Sequence, residues 1–224
     1  MLNFFVLFTI GSVIGSFCQV VAVRGLRAAT LTTTPSHCDY CGQRLRWFEL
    51  IPICSYLWLL GKCRNCRHNV PLTTLLSEMA GGSLAMFYTQ LTPNLPLLLI
   101  GFLLLIMNLC DWQALEVPSY LLIIAAGLVV IAVLTTSQLE IWQLIILILW
   151  SSYQRWPVFH RWLGAADIDI IVLYSLLAGP IITAQAILIS SGLAIICFTF
   201  WAQRQLPFVP FLAVSYYWLL WCLL

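Results

Sequence analysis

Asp111 and Asp167 lie 56 positions apart, each at the edge of a long apolar run, in a chain of 224 residues that holds eight acids. An acid at a membrane boundary is costly unless it faces protein or water, so its presence there points to function. Two carboxylates that share a proton can act together on a water, one as base and the other as acid. That pair is the minimum apparatus for hydrolysing a peptide bond by an aspartyl mechanism. The alternative is that each acid only flanks a helix, and Asp167 near a helix start is favourable there through the helix dipole.

A second constellation is Cys38-Asp39-Tyr40-Cys41 with Cys63-Arg64-Asn65-Cys66. Two C-x2-C knuckles with 21 residues between them suit a tetrahedral zinc held by four thiolates. Each knuckle bends the backbone so that both sulfurs face one ion, and Gly42 follows the first where a tight turn is wanted. Four thiolates leave no open position, so the expected zinc is structural. An insertion of this size has too little core to fold alone, and a metal can supply that stability. The alternative is a redox pair of dithiols or disulfides, against which a cytosolic placement argues. His37 and His68 flank the knuckles but are not expected to replace a thiolate. Cys18, Cys54, Cys110, Cys197 and Cys222 read as small apolar packing residues.

The elements that must position these groups are membrane helices. The composition is 62% hydrophobic and 8% charged, whereas a soluble domain carries about 25% charged residues. A net charge of +2 is too small to suggest a nucleic-acid partner. Apolar runs near 2–23, 75–91, 95–110, 118–136, 139–153, 165–180, 181–201 and 208–224 predict about eight spans. The expected fold is therefore an all-α, polytopic membrane helix bundle with a small cytoplasmic tetra-cysteine zinc loop. Its parts are a first transmembrane helix (1–23), the zinc loop (24–74) and a transmembrane bundle (75–224). The first run has no basic residue before it and is long for a signal-peptide core, so it reads as a retained helix. The second run is the weakest, because Glu78 sits beside Ala80, Gly81, Gly82 and Ser83. Small residues allow close helix approach, which predicts that this run packs within the bundle.

Basic residues set the direction. Seven of the ten, Arg24, Arg27, Arg44, Arg46, Lys62, Arg64 and Arg67, fall in the 24–74 loop. Placing that loop in the cytoplasm puts the amino terminus outside. Arg155, Arg161 and Arg204 then also fall inside and Glu140 outside, so the same topology accommodates all ten. Leu50 to Leu60 within the loop is apolar but interrupted by Pro52 and Ser55. It is too short to span and lies at the interface or forms a small core.

An ordered set of motifs resembles the type IV prepilin peptidases, the leader peptidases with an aspartyl G-x-G-D mechanism. Gly15-Ser16-Phe17-Cys18-Gln19-Val20 is similar to the family's opening G-S-F-x-N-V. Ser36-His37-Cys38 through Cys41-Gly42 resembles its first knuckle, Leu45-Arg46-Trp47-Phe48-Glu49-Leu50-Ile51-Pro52 its L-x-W-Y/F-x-x-I-P stretch, and Gly61-Lys62-Cys63 through Cys66 its second knuckle. Glu78 falls at the family's V-E-L. Asp111, seven residues before Pro118, resembles the D-x6-P pattern of the first catalytic aspartate. Leu163-Gly164-Ala165-Ala166-Asp167-Ile168 resembles the L-G-x-G-D-L of the second, and Leu206-Pro207-Phe208-Val209-Pro210-Phe211-Leu212 the closing I-P-F-G-P-F-L.

The resemblance implies an enzyme of the bacterial cytoplasmic membrane whose substrate is a prepilin or pilin-like protein, with a short basic leader and a hydrophobic helix in the bilayer. Cleavage at the cytoplasmic face, after a small residue, would use Asp111 and Asp167, while the zinc loop sits over the site and helps hold the leader. The same resemblance implies possible N-methylation of the new amino terminus from S-adenosylmethionine, for which the sequence shows no glycine-rich cofactor loop. Four positions depart from the pattern: Ala166 replaces the second glycine, Asp169 a usual lysine, and Gln113 and Ser119 positions that are often acidic. Two rival readings are a membrane thiol oxidoreductase using the C-x2-C pairs and a zinc-stapled scaffold that has lost activity. A transporter lacks the expected repeat halves.

Overall fold

In hydrocarbon no water is present to pair backbone N–H and C=O groups, so apolar runs of this length must bond within themselves as helices. The computed structural model describes residues 2–26, 35–87, 95–136, 141–154, 164–200 and 207–223. It contains α1 (Leu2–Leu26), a 3-10 turn (Trp47–Leu50), α2 (Cys54–Trp58), α3 (Leu72–Phe87), α4 (Leu95–Ala114), α5 (Ser119–Thr136), α6 (Ile141–Gln154), α7 (Ala165–Phe200) and α8 (Val209–Leu223). Among the described residues there is no strand beyond two isolated bridges, His37 with Arg44 and Lys62 with Asn69. The protein is an all-α, multi-pass membrane bundle. Three helical stretches, Phe4–Gly25, Leu95–Ala114 and Ala166–Thr199, are long and apolar enough to cross a bilayer by length and composition. Ser119–Thr135 and Ile141–Ser151 are apolar but shorter.

Contacts divide the chain into two units, Met1–Pro93 and Asn94–Leu224. In the first, α1 packs on α3. The crossing is made by glycine: a methyl on Gly11 would overlap the carbonyl oxygen of Gly81, and one on Gly15 would overlap that of Ser77. Gly11 and Gly15 lie four apart on one helical face, the arrangement that lets membrane helices touch backbone to backbone. The weak second run therefore does pack inside its unit, with Ser77, Glu78, Gly81, Gly82, Leu84 and Ala85 buried.

In the second unit α4 packs against α5 and α8, and α7 against α5, α6 and α8. α7 covers two of the expected spans, and its backbone breaks where the sequence divides them. Gly179 has φ 85° and ψ 165°, a conformation open essentially to glycine alone. Pro180 follows and has no N–H to give the carbonyl of Leu176 four residues earlier. Buried Gln143 of α6 supplies the missing donor, its Nε2 lying 3.2 Å from that oxygen. Thr183 Oγ1 donates to the Gly179 carbonyl at 2.8 Å.

Candidate active site and metal centre

The expected third span ends at 110, but α4 continues to Ala114. No residue there breaks a helix until Leu115, which turns to φ 53° and donates its N–H to the Asp111 carbonyl at 2.9 Å. Asp111 thus sits inside the last turn of α4 rather than after it. It is buried, 8% exposed, and its Oδ2 accepts the backbone N–H of Val209 at 3.1 Å. Val209 is the first residue of α8, so the carboxylate of one helix occupies the donor-rich start of another, where the dipole favours negative charge.

Asp167 stands in the first turn of α7 and is half-buried. Its carboxylate accepts the backbone N–H of Gly164, and the charge of Asp111 acts on it directly. The two acids named from the sequence therefore lie in one unit, within range for the charge of one to act on the other. Gly164 allows this placement, because a methyl there would stand 2.9 Å from Asp167 Oδ2. Asp169 is turned to a different partner: Trp150 of α6 donates its indole N–H to Oδ1 at 2.9 Å. Residues two apart on a helix face differently, so the acid that replaces a usual lysine ties α6 to α7.

The four cysteines converge in the first unit. The sulfurs of Cys38, Cys41, Cys63 and Cys66 all lie within 4.8 Å of one another, and those of Cys38 and Cys66 are 3.9 Å apart. A tetrahedron with zinc–sulfur bonds of about 2.3 Å has edges of about 3.8 Å, so the thiol set fits that ion. Both knuckles have the same backbone. Gly42 donates to the Cys38 carbonyl and Arg67 to that of Cys63, at 2.8 and 2.9 Å, with φ of 69° and 60°. Gly42 takes this conformation without strain, whereas Arg67 is held in it by the knuckle. The Cys41 thiol is lowered to about 7, first by the backbone N–H of Gln43, and Cys63 is lowered by the N–H groups of Cys66 and Asn65. Neither neighbouring histidine joins the cluster: His68 stacks on Tyr40 with ring centroids 4.2 Å apart, and His37 Nδ1 lies 2.9 Å from the Pro35 carbonyl.

Glu78 of α3 ties α1 and the loop between the knuckles together. Ser16 Oγ donates to its Oε1 at 2.9 Å and the Ile53 N–H to its Oε2 at 2.6 Å. Ile53 has φ 62° and ψ −53°, and Cys54 N–H bonds the Pro52 carbonyl at 2.6 Å. This is a γ-turn of the rare positive-φ kind, strained for a β-branched residue. Sequence reading missed Ile53 altogether, since nothing in I-P-I-C signals such a turn.

Residues 9–91 match the model of the bacterial peptidase A24 N-terminal domain. A prepilin leader peptidase/N-methyltransferase of Bacillus subtilis is 26% identical over 225 residues, covering 94% of this chain and 90% of the relative. The chain is similar to prepilin leader peptidases along most of its length. A family member from Stutzerimonas stutzeri is 26% identical over 218 residues, covering 89% of this chain and 75% of its own. One from Vibrio cholerae is 30% identical over 131 residues, and that match spans about half of each protein, 53% of this chain and 52% of the relative. No solved structure matches the chain. The fold brings stretches that are far apart in sequence into contact: Ser16 meets Glu78, and Asp111 meets Val209.

Proposed function

We propose that the protein is an aspartyl endopeptidase that removes the leader of type IV prepilins or pilin-like proteins at the cytoplasmic face of the bacterial membrane. What supports this reading is that both acids lie in one unit, with the charge of Asp111 acting on the Asp167 carboxyl and Asp111 itself buried against the start of α8. One carboxylate takes a proton from a water as its oxygen attacks the scissile carbonyl carbon. The other gives a proton to the leaving nitrogen as the carbon–nitrogen bond breaks, so the pair ends with its shared proton restored. The substrate carries a short basic leader and a hydrophobic helix seated in the bilayer.

Direction rests on charge. With the loop at 24–74 in the cytoplasm and the amino terminus outside, the positive-inside rule accommodates every basic residue. Arg27, Glu140, Arg155, Arg161 and Arg204 lie outside the described residues. Cys38, Cys41, Cys63 and Cys66 would hold a structural zinc, which folds the loop and takes no part in the bond cleavage. The name of the relatives, leader peptidase/N-methyltransferase, supports N-methylation of the new amino terminus as a second activity, with S-adenosylmethionine as methyl donor. No residue of this chain is assigned to that cofactor.

Cleavage of a model prepilin by protein purified in membranes tests the reading. Asp111→Asn and Asp167→Asn should each lower the rate by at least about 1000-fold while membrane levels stay normal. Full processing by both variants would end the proposal. Activity in the unmodified protein separates it from a scaffold that has lost catalysis.

A further inference from the structure

The closing motif of this chain has no role in the scheme above, yet its backbone is bonded to Asp111 and to α7. Val209 donates its N–H to Asp111 Oδ2 in a buried contact. Tyr174 of α7 donates its hydroxyl to the Leu212 carbonyl at 2.8 Å, and the Ser190 hydroxyl of α7, which donates to the Ala186 carbonyl at 2.7 Å, lies 3.2 Å from the Phe211 carbonyl. Tyr174, Ser190, Val209 and Leu212 are all within 1% of full burial. The first turn of α8 is thus bonded on one side to the aspartate of α4, and on the other to the helix that carries Asp167.

From this we infer that the Val209 N–H is the positioning donor of the active site: it fixes one oxygen of Asp111 and so aims the other at the water shared with Asp167. The inference rests on the aspartyl reading above. A carboxylate rotates easily about its last torsion, which has broad wells. Proton transfer needs heavy atoms about 2.6–3.2 Å apart, and a misplacement of about 1 Å can cost about 100-fold in rate. A side-chain donor would swing with the carboxylate, whereas a backbone donor in a turn bonded to α7 does not. Because α7 also carries Asp167, the same turn sets the spacing between the two acids.

The donor can be removed almost alone. Proline is well tolerated at the first position of a helix, where its fixed φ is already suitable, so Val209→Pro deletes the N–H and keeps α8. Val209→Ala opens a small cavity but keeps the N–H. With a model prepilin, Val209→Pro should lower kcat about 10- to 100-fold with KM within about twofold, and Val209→Ala should stay within about threefold of the parent. If Val209→Pro fails to reach normal membrane levels, a backbone ester at position 209, which exchanges N–H for oxygen and keeps the side chain, decides with the same expected values. Normal kcat in the proline or ester variant, or an equal loss in Val209→Ala, overturns the inference. Asp111→Asn that still cleaves would instead remove the reading on which it rests, so the two failures are distinguishable.

Discussion

Asp169 shows how a residue that looks wrong in a motif can be right in its place. Beside Asp167 it reads as a second negative charge, but its carboxylate is bonded by the Trp150 indole on another face of α7. Gly164 is the converse, a motif position whose missing side chain leaves room for the Asp167 carboxylate. The cysteines carry a pH dependence whose sign follows from their chemistry. Metal binding needs thiolates, so protons compete with it. Within the cluster the thiols are pushed apart, Cys41 down to about 7, first by the backbone N–H of Gln43, and Cys66, against the backbone N–H of His68, up to about 11 by desolvation and the neighbouring sulfurs. A bound metal must therefore displace protons and is lost as pH falls. Zinc loaded on the protein should stay bound at neutral pH and be released progressively on acidification, as read by a chromophoric chelator. Retention that is flat down to about pH 3, below the range of even strongly lowered thiols, would exclude a thiolate site.

Two elements depend on side chains borrowed from their neighbours. The break in α7 leaves the Leu176 carbonyl without its helical donor, and Gln143 closes the gap from α6. Replacing Gln143 with Leu keeps the size and removes the donor that meets this part-buried acceptor. The expected cost is about 1–2 kcal/mol, read as a lower unfolding midpoint in detergent, whereas an unchanged midpoint would mean that the contact contributes nothing net. The loop between the knuckles depends similarly on α3. A positive-φ turn of this kind costs about 1–3 kcal/mol and persists only when its surroundings hold it, and the Glu78 carboxylate holds the Ile53 N–H. One buried acid therefore binds α1 through Ser16 and the loop through Ile53, which explains its place on a helix otherwise made of small and apolar residues.

For the molecule as a whole, the proposed direction across the membrane makes a prediction that does not depend on activity. Cys54, expected from the sequence to pack, is instead exposed and lies apart from the four-thiol cluster, so it is a built-in reporter of the side on which the loop stands. A membrane-impermeant thiol reagent should leave Cys54 unlabelled in intact cells and label it in inverted vesicles. Labelling in intact cells would turn the topology over and bring back the thiol oxidoreductase, which needs its cysteines on the oxidising side.

The sequence by itself determined the helical membrane class, the position of each long apolar run and the membership of the thiol cluster. Length, hydropathy and C-x2-C spacing are local quantities, and local quantities can be read along a chain. Even the division of α7 was visible, because Gly179-Pro180 is a local signal. The sequence also named Asp111, Asp167 and Glu78 as acids that apolar surroundings make expensive. Only the tertiary structure decided what each one touches: Val209 for Asp111, Gly164 for Asp167, Ser16 and Ile53 for Glu78. Two of those partners act through a backbone N–H at a helix start and a third through the N–H of a strained turn. Every residue but proline carries that group, so residue type gives no sign of which one will meet a carboxylate, and only the packing of helices distant in sequence selects it.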